Sequence, residues 1–73
     1  MLLSKKIGMV LRTRRLSMKM TQMDLAVAAK TDRSFISDIE NGKKNISVNM
    51  LERLCAALDV EAWWVVKTAG NLK

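Results

Sequence analysis

Residues 31–42 read TDRSFISDIENG, and the fold turns on how that dozen divides. Asp32 is a good N-cap, because its carboxylate can accept an unpaired N–H of a first turn. Gly42 is a good stop, because it takes a left-handed backbone without steric cost. Between them Ile36 and Ile39 face inward with Phe35 at their edge, which predicts a helix over 33–41. Ser34, Ser37, Asp38 and Asn41 then share the outer stripe, at i, i+3, i+4 and i+7. Exposed helices usually wear Lys, Glu, Gln and Arg. Short hydrogen-bonding side chains let a helix backbone sit deep in the DNA major groove, although the same stripe also suits an ordinary solvated face.

Upstream, Thr21 opens another helix, over 22–29, with Asp24 three residues on as a weaker form of the capping box. Its inner residues are Leu25, Ala26 and Ala29, two of them very small, so the helix over 33–41 can cross close to the backbone. Lys30 and Thr31 make the corner. A first helix is predicted from Lys5 to Met18, with Ile7, Val10, Leu11 and Met18 on one face. Arg15 interrupts that apolar stripe, and a cation there requires an inward carboxylate from elsewhere in the chain. Lys5, Lys6, Arg12, Arg14 and Lys19 are free to stay solvated.

Downstream, Lys43, Lys44 and Asn45 precede a fourth helix capped by Ser47, whose Leu51, Leu54, Cys55 and Leu58 keep a regular period, making Cys55 a core filler. The stretch VEAWWVVK (60–67) carries five consecutive apolar residues with adjacent tryptophans. As a helix it buries Ala62, Val65 and Val66. As a strand it alternates Ala62, Trp64 and Val66 against Glu61, Trp63 and Val65, and its β-branched and aromatic content makes that form a serious rival.

With 73 residues, about half apolar, no Pro and three Gly, the chain is expected to form one all-α domain over 1–73. A net charge of +6 is the footprint of a nucleic-acid or anionic-surface binder, and it also serves solubility. One cysteine can form neither an internal disulfide nor a metal cluster. No apolar run reaches a membrane span, and MLLSKK lacks a signal-peptide core, so a cytoplasmic protein is expected. Enzymatic chemistry is disfavoured: there is no His, no Tyr, no Gly-rich phosphate loop, no carboxylate pair and no metal-ligand spacing. No cofactor, metal or small-molecule substrate is expected, and no membrane partner.

Ile7, Arg15, TQMDLA (21–26), DRSFISDIENGKKNIS (32–47) and LERLCAAL (51–58) together make the chain resemble the Cro/C1 (XRE) family of helix-turn-helix regulators. Its small stand-alone members, among them restriction-modification controller proteins and compact phage repressors, are the most similar. The resemblance implies a compact lambda-repressor-like domain of four to five helices, with a helix-turn-helix core over about 5–60 and a dimerisation segment over about 61–70. It supplies Glu40 as the partner of Arg15. It implies a recognition helix whose Arg33, Ser34, Ser37 and Asp38 read bases, with Gln22, Lys43, Lys44 and Asn45 on phosphates, Gln22 at a helix start that favours anions. Asp38 has two readings, an acceptor for cytosine or a holder of a neighbouring cation. The resemblance also implies a homodimer on a near-palindromic DNA operator, joined through Trp63, Trp64, Val65 and Val66. The helical form of 61–68 is usual for controller-like members, and a swapped strand occurs in some antitoxin relatives. An antitoxin that binds a toxin protein and regulates its own operon is the alternative function. Lys30 and Asp59 stand where the family often has Gly, at places that favour positive φ.

Overall fold

The computed structural model describes residues 2–72. Its helices are α1 (Leu2–Ser17), α2 (Gln22–Ala28), α3 (Arg33–Glu40), α4 (Val48–Ala57) and α5 (Ala62–Gly70), with no strand among the described residues. The segment after Glu61 is therefore helical, and the strand alternative does not form. Caps act where the side chains promised them. Thr21 and Asp24 complete a reciprocal capping box, Asp32 accepts from the Phe35 N–H, and Ser47 accepts from the Met50 N–H.

α1 packs on α3 and α5, α2 on α3 and α4, and α4 on α5. Leu11, Leu25, Ile36, Leu54, Leu58 and Val65 are fully buried at the centre. On α2, Ala26 and Ala29 are buried beside Leu25, and their small size lets α3 approach. Cys55 is buried in the same core. Burial pushes its thiol pKa up, with a further push from the Glu61 charge, so it is an inert filler.

Two expectations for α1 need correction. The helix begins at Leu2 rather than Lys5, because Leu2 and Leu3 are exposed and left no burial period to mark the first turn. Met18 lies past the helix end and is exposed, so it does not extend the inner face. A close approach was also absent from the periodicity: a Cβ built at Gly8 would collide with the Ile39 carbonyl oxygen of α3. Gly8 is therefore the point where two backbones nearly touch.

Four helices end alike. The N–H groups of Met20, Thr31, Lys43 and Val60 each donate to a carbonyl five residues back, at 2.8–3.2 Å, which is the Schellman arrangement. The residue before each donor takes positive φ: Lys19 (59°), Lys30 (58°), Gly42 (70°) and Asp59 (55°). Only one of the four is glycine. Cations from other helices meet the remaining carbonyls: Arg14 donates to Leu58 O (2.9 Å) and Arg53 to Ala29 O and Lys30 O. Lys6 donates to Leu72 O at 2.6 Å. Arg14 and Lys6 are thus structural rather than free in solvent.

Helix propensity alone says Gly8→Ala should stabilise by about 1 kcal/mol; the backbone clash reverses the sign, and a loss of about 3 kcal/mol or more is expected. Lys30→Gly should instead raise stability by about 1 kcal/mol through relief of the left-handed strain, or about 4–8 °C in a domain of this size. Thermal unfolding followed by circular dichroism checks both signs.

Candidate nucleic-acid interface

The outer face of α3 is held by a buried ion pair at its inner end. Arg15 Nε donates to Glu40 Oε2 at 2.6 Å, and a second guanidinium nitrogen donates to Oε1 at 3.0 Å. A third donor reaches Met20 O at 2.7 Å, tying the end of α1. Both residues are 6 % exposed. The hydrogen bonds that Arg15 donates to Glu40, and then the charge of Glu40, raise the Arg15 pKa against the desolvation that lowers it. Gln22, the first residue of α2, donates its side-chain amide to the same Oε1 at 3.1 Å. Exposed Arg12 lies 4.0 Å from that oxygen. One carboxylate therefore gathers α1, α2 and α3.

Outward from this anchor, Arg33 and Ser34 are exposed, and Ser37 and Asp38 are half-buried. The Asn41 amide donates to Ser37 Oγ at 3.4 Å. In the loop after α3, Lys43 is exposed, and Asn45 Oδ1 accepts from Ser4 Oγ at 3.0 Å. Lys44 turns back onto α3, its Nζ 3.4 Å from Asp38 Oδ2 and 5.5 Å from the centroid of the Phe35 ring. Lys5 packs against Gly42. Hence α1 runs beside the C-terminal end of α3 and the loop after it, with Ser4 and Lys5 at the loop and Arg12 at Glu40. None of these three figured among the candidate contacts, although Lys5 and Arg12 are seven residues apart and so share one side of a helix.

The chain's seven carboxylates are all engaged or remote. Asp24 and Asp32 cap helices, Asp38 faces Lys44, and Glu40 is buried. Glu52, Asp59 and Glu61 line a groove between α4 and α5. The capping role holds the Asp24 carboxyl below its ordinary range, chiefly through the Thr21 backbone N–H. Its stabilising share is present above the unfolded value of about 3.9 and lost as pH falls through the folded one. No unpaired carboxylate shares the α3 face with Arg33, Lys43, Lys5 and Arg12, so that side favours a polyanion.

The α5 residues divide. Trp63 is 64 % exposed, and Trp64 and Val66 are each 40 % exposed. Val65, which the resemblance assigns to the dimer interface, is fully buried with Ala69 and belongs to the core of this chain instead. Val66 is likewise not on the inner face, where Ala69, four residues after Val65, stands instead. Trp64 lies along an apolar groove of about 310 Å³ between α1 and α5.

Two short helices joined by a tight turn, the second presenting polar side chains from a five-helix core, define a helix-turn-helix DNA-binding domain. The helix-turn-helix family profile matches residues 11–62. The chain belongs to this family, in its Cro/C1 (XRE) type. The transcriptional regulator ClgR of Mycobacterium tuberculosis is 32 % identical over 70 residues, 96 % of this chain and 62 % of that protein. The crystal structure of the clp gene regulator ClgR from C. glutamicum superposes with a TM-score of 0.90 at 30 % identity, covering 96 % of this chain and 91 % of the other. The restriction-modification controller protein C.AhdI from Aeromonas hydrophila gives 0.82 at 32 % identity, covering 85 % and 94 %. These relatives are regulators, not enzymes. No helix among the described residues is long and apolar enough to cross a membrane.

Removing one partner of the buried pair strands the other charge. Glu40→Ala is expected to cost about 3–5 kcal/mol, whereas the double replacement Arg15→Met with Glu40→Leu recovers most of that loss. Urea unfolding of the two variants and the parent measures the difference.

Proposed function

We propose that the chain is a sequence-specific double-stranded DNA-binding transcriptional regulator that acts as a homodimer on a near-palindromic operator. The observation that carries this reading is the α3 face: exposed Arg33 and Ser34 and half-exposed Ser37, flanked by cations and free of unpaired carboxylates. α3 enters the major groove, where Arg33 can bond O6 and N7 of guanine while the serines donate or accept. Lys43 and Asn45 lie on the sugar-phosphate backbone with the Gln22 side chain, and Lys5 and Arg12 extend that track.

One domain of 29 × 22 × 21 Å offers few base contacts. Two copies joined through the exposed Trp63, Trp64 and Val66 of α5, within the dimerisation segment 61–70, supply a second α3 about one helical turn, roughly 34 Å, away. The resemblance to controller proteins and ClgR supports the regulatory role. As a DNA-binding regulator, the protein is proposed to work in the cytoplasm. The antitoxin alternative would turn the same exposed Trp63, Trp64 and Val66 of α5 towards a toxin protein.

Selection of bound duplexes from a random pool, read beside the sedimentation mass, tests the reading. A near-palindromic motif and a dimer are the expected results; no preference among duplexes, or a monomer on DNA, overturns it. Where the dimer neutralises roughly 6–10 phosphates, affinity should fall about 10³- to 10⁵-fold between 50 and 200 mM salt. Lys43→Ala removes one phosphate contact from each subunit, so it should weaken all sequences alike and flatten that salt slope by about two. Arg33→Ala should relax one base position at about 1–3 kcal/mol.

A further inference from the structure

We infer that Asp38 and Lys44 act as one unit that reads a C·G base pair, with the carboxylate accepting from cytosine and the ammonium donating to guanine. The inference rests on α3 being the recognition helix. Lys44 was expected on the phosphate backbone with the rest of its loop. Instead its ammonium sits 3.4 Å from Asp38 Oδ2 and 5.5 Å from the Phe35 ring centroid. Phe35 and Asp38 are three apart on α3, so they form neighbouring steps of one helix side. The ring face and the carboxylate both attract a cation, which places Lys44 on the flank of the recognition helix.

The pair is exposed enough to do more than bond to itself. Its side chains are 53 % and 32 % accessible for Lys44 and Asp38. Lysine has three donors and a carboxylate about four acceptor sites, so each retains capacity facing outward. The result is an acceptor and a donor side by side, 3.4 Å apart. In the major groove of a C·G pair, cytosine N4 is a donor and guanine O6 an acceptor, joined by a Watson–Crick bond of about 2.9 Å. The two spacings are close. Guanine N7 adds a second acceptor next to O6, which the ammonium can share.

A·T also sets a donor next to an acceptor, but with less for lysine. Adenine N6 is flanked by single acceptors, N7 on one side and thymine O4 on the other, and a methyl group follows O4. Only guanine presents two adjacent acceptors to one ammonium. Pairing also solves an electrostatic difficulty. A lone Asp38 would meet the phosphates as a like charge, whereas the Asp38–Lys44 unit enters with no net charge.

The test uses the full chain and random-pool duplex selection with the parent, Asp38→Ala, Lys44→Ala, the double variant and Asp38→Asn. The parent should enrich a motif with a fixed C·G position in each half-site. Each alanine variant should lose about 5- to 150-fold discrimination there, with little further loss in the double variant. Asp38→Asn should move the preference at that position towards A·T, because an amide pairs with adenine N6 and N7. Circular dichroism melts matching the parent's would place these effects in recognition rather than folding. A uniform loss across all duplexes in Lys44→Ala, with the motif unchanged, overturns the inference and makes Lys44 a phosphate contact. So does an unmoved motif in Asp38→Asn. In both cases DNA reading by α3 stands, whereas a parent that selects no motif removes both.

Discussion

The Arg15–Glu40 pair is the constraint on which the remaining geometry depends. A core of Leu, Ile and Val tolerates small rotations of a short helix, since one aliphatic contact replaces another at similar energy. A two-point bond between a planar guanidinium and a carboxylate does not. With Arg15 also bound to Met20 O and Gln22 bound to Glu40, α3 is locked in rotation relative to α1 and α2. Such a pair is a poor source of stability, because desolvation offsets much of its attraction. Its value here is orientation: the stripe through Ser34 and Ser37 faces outward because Glu40 faces inward.

The same economy of contacts appears at the helix ends. Apart from α1, the helices are 7 to 10 residues long, too short to persist alone in water. Carbonyls at or just past the ends of α2, α4 and α5 are met by Arg53, Arg14 and Lys6 from elsewhere in the chain. Together with Arg15, four of the chain's 13 basic residues work inside the fold. Net charge therefore overstates the cations open to a polyanion, and their placement carries more information than their number. Carboxylates behave in the complementary way: the two caps, the buried Glu40 and the α4–α5 groove account for all but Asp38, which answers Lys44. The polarity of the molecule arises from where acids are absorbed as much as from where cations stand.

Much of this is legible in the amino-acid sequence. Caps at Thr21, Asp32 and Ser47 and the inner faces of α2, α3 and α4 follow from local chemistry, because a cap bonds three residues away and a helical face repeats over a few turns. Arg15 announced that a carboxylate was missing, since an unpaired buried cation is intolerable. Which acid answered it came from resemblance to the Cro/C1 family. Positive φ at Lys30 and Asp59 was legible as a departure from glycine; at Lys19 it was not. The turn at Leu2–Ser4 escaped because its apolar residues are exposed and give no period.

What the amino-acid sequence determined by itself was every feature set within one or two helical turns: the caps, the amphipathic faces, the cluster of short side chains on α3 and the demand for an ion pair. Tertiary structure alone decided which distant groups meet. It seated Gly8 against Ile39, turned Lys44 back over Phe35 onto Asp38, drew Lys5 and Arg12 beside α3, and divided Val65 from its exposed neighbours. The physical reason is range. Capping and periodicity act along the chain, whereas these contacts depend on how helices cross, and crossing is set by the summed shape of a core to which no single segment contributes more than a part.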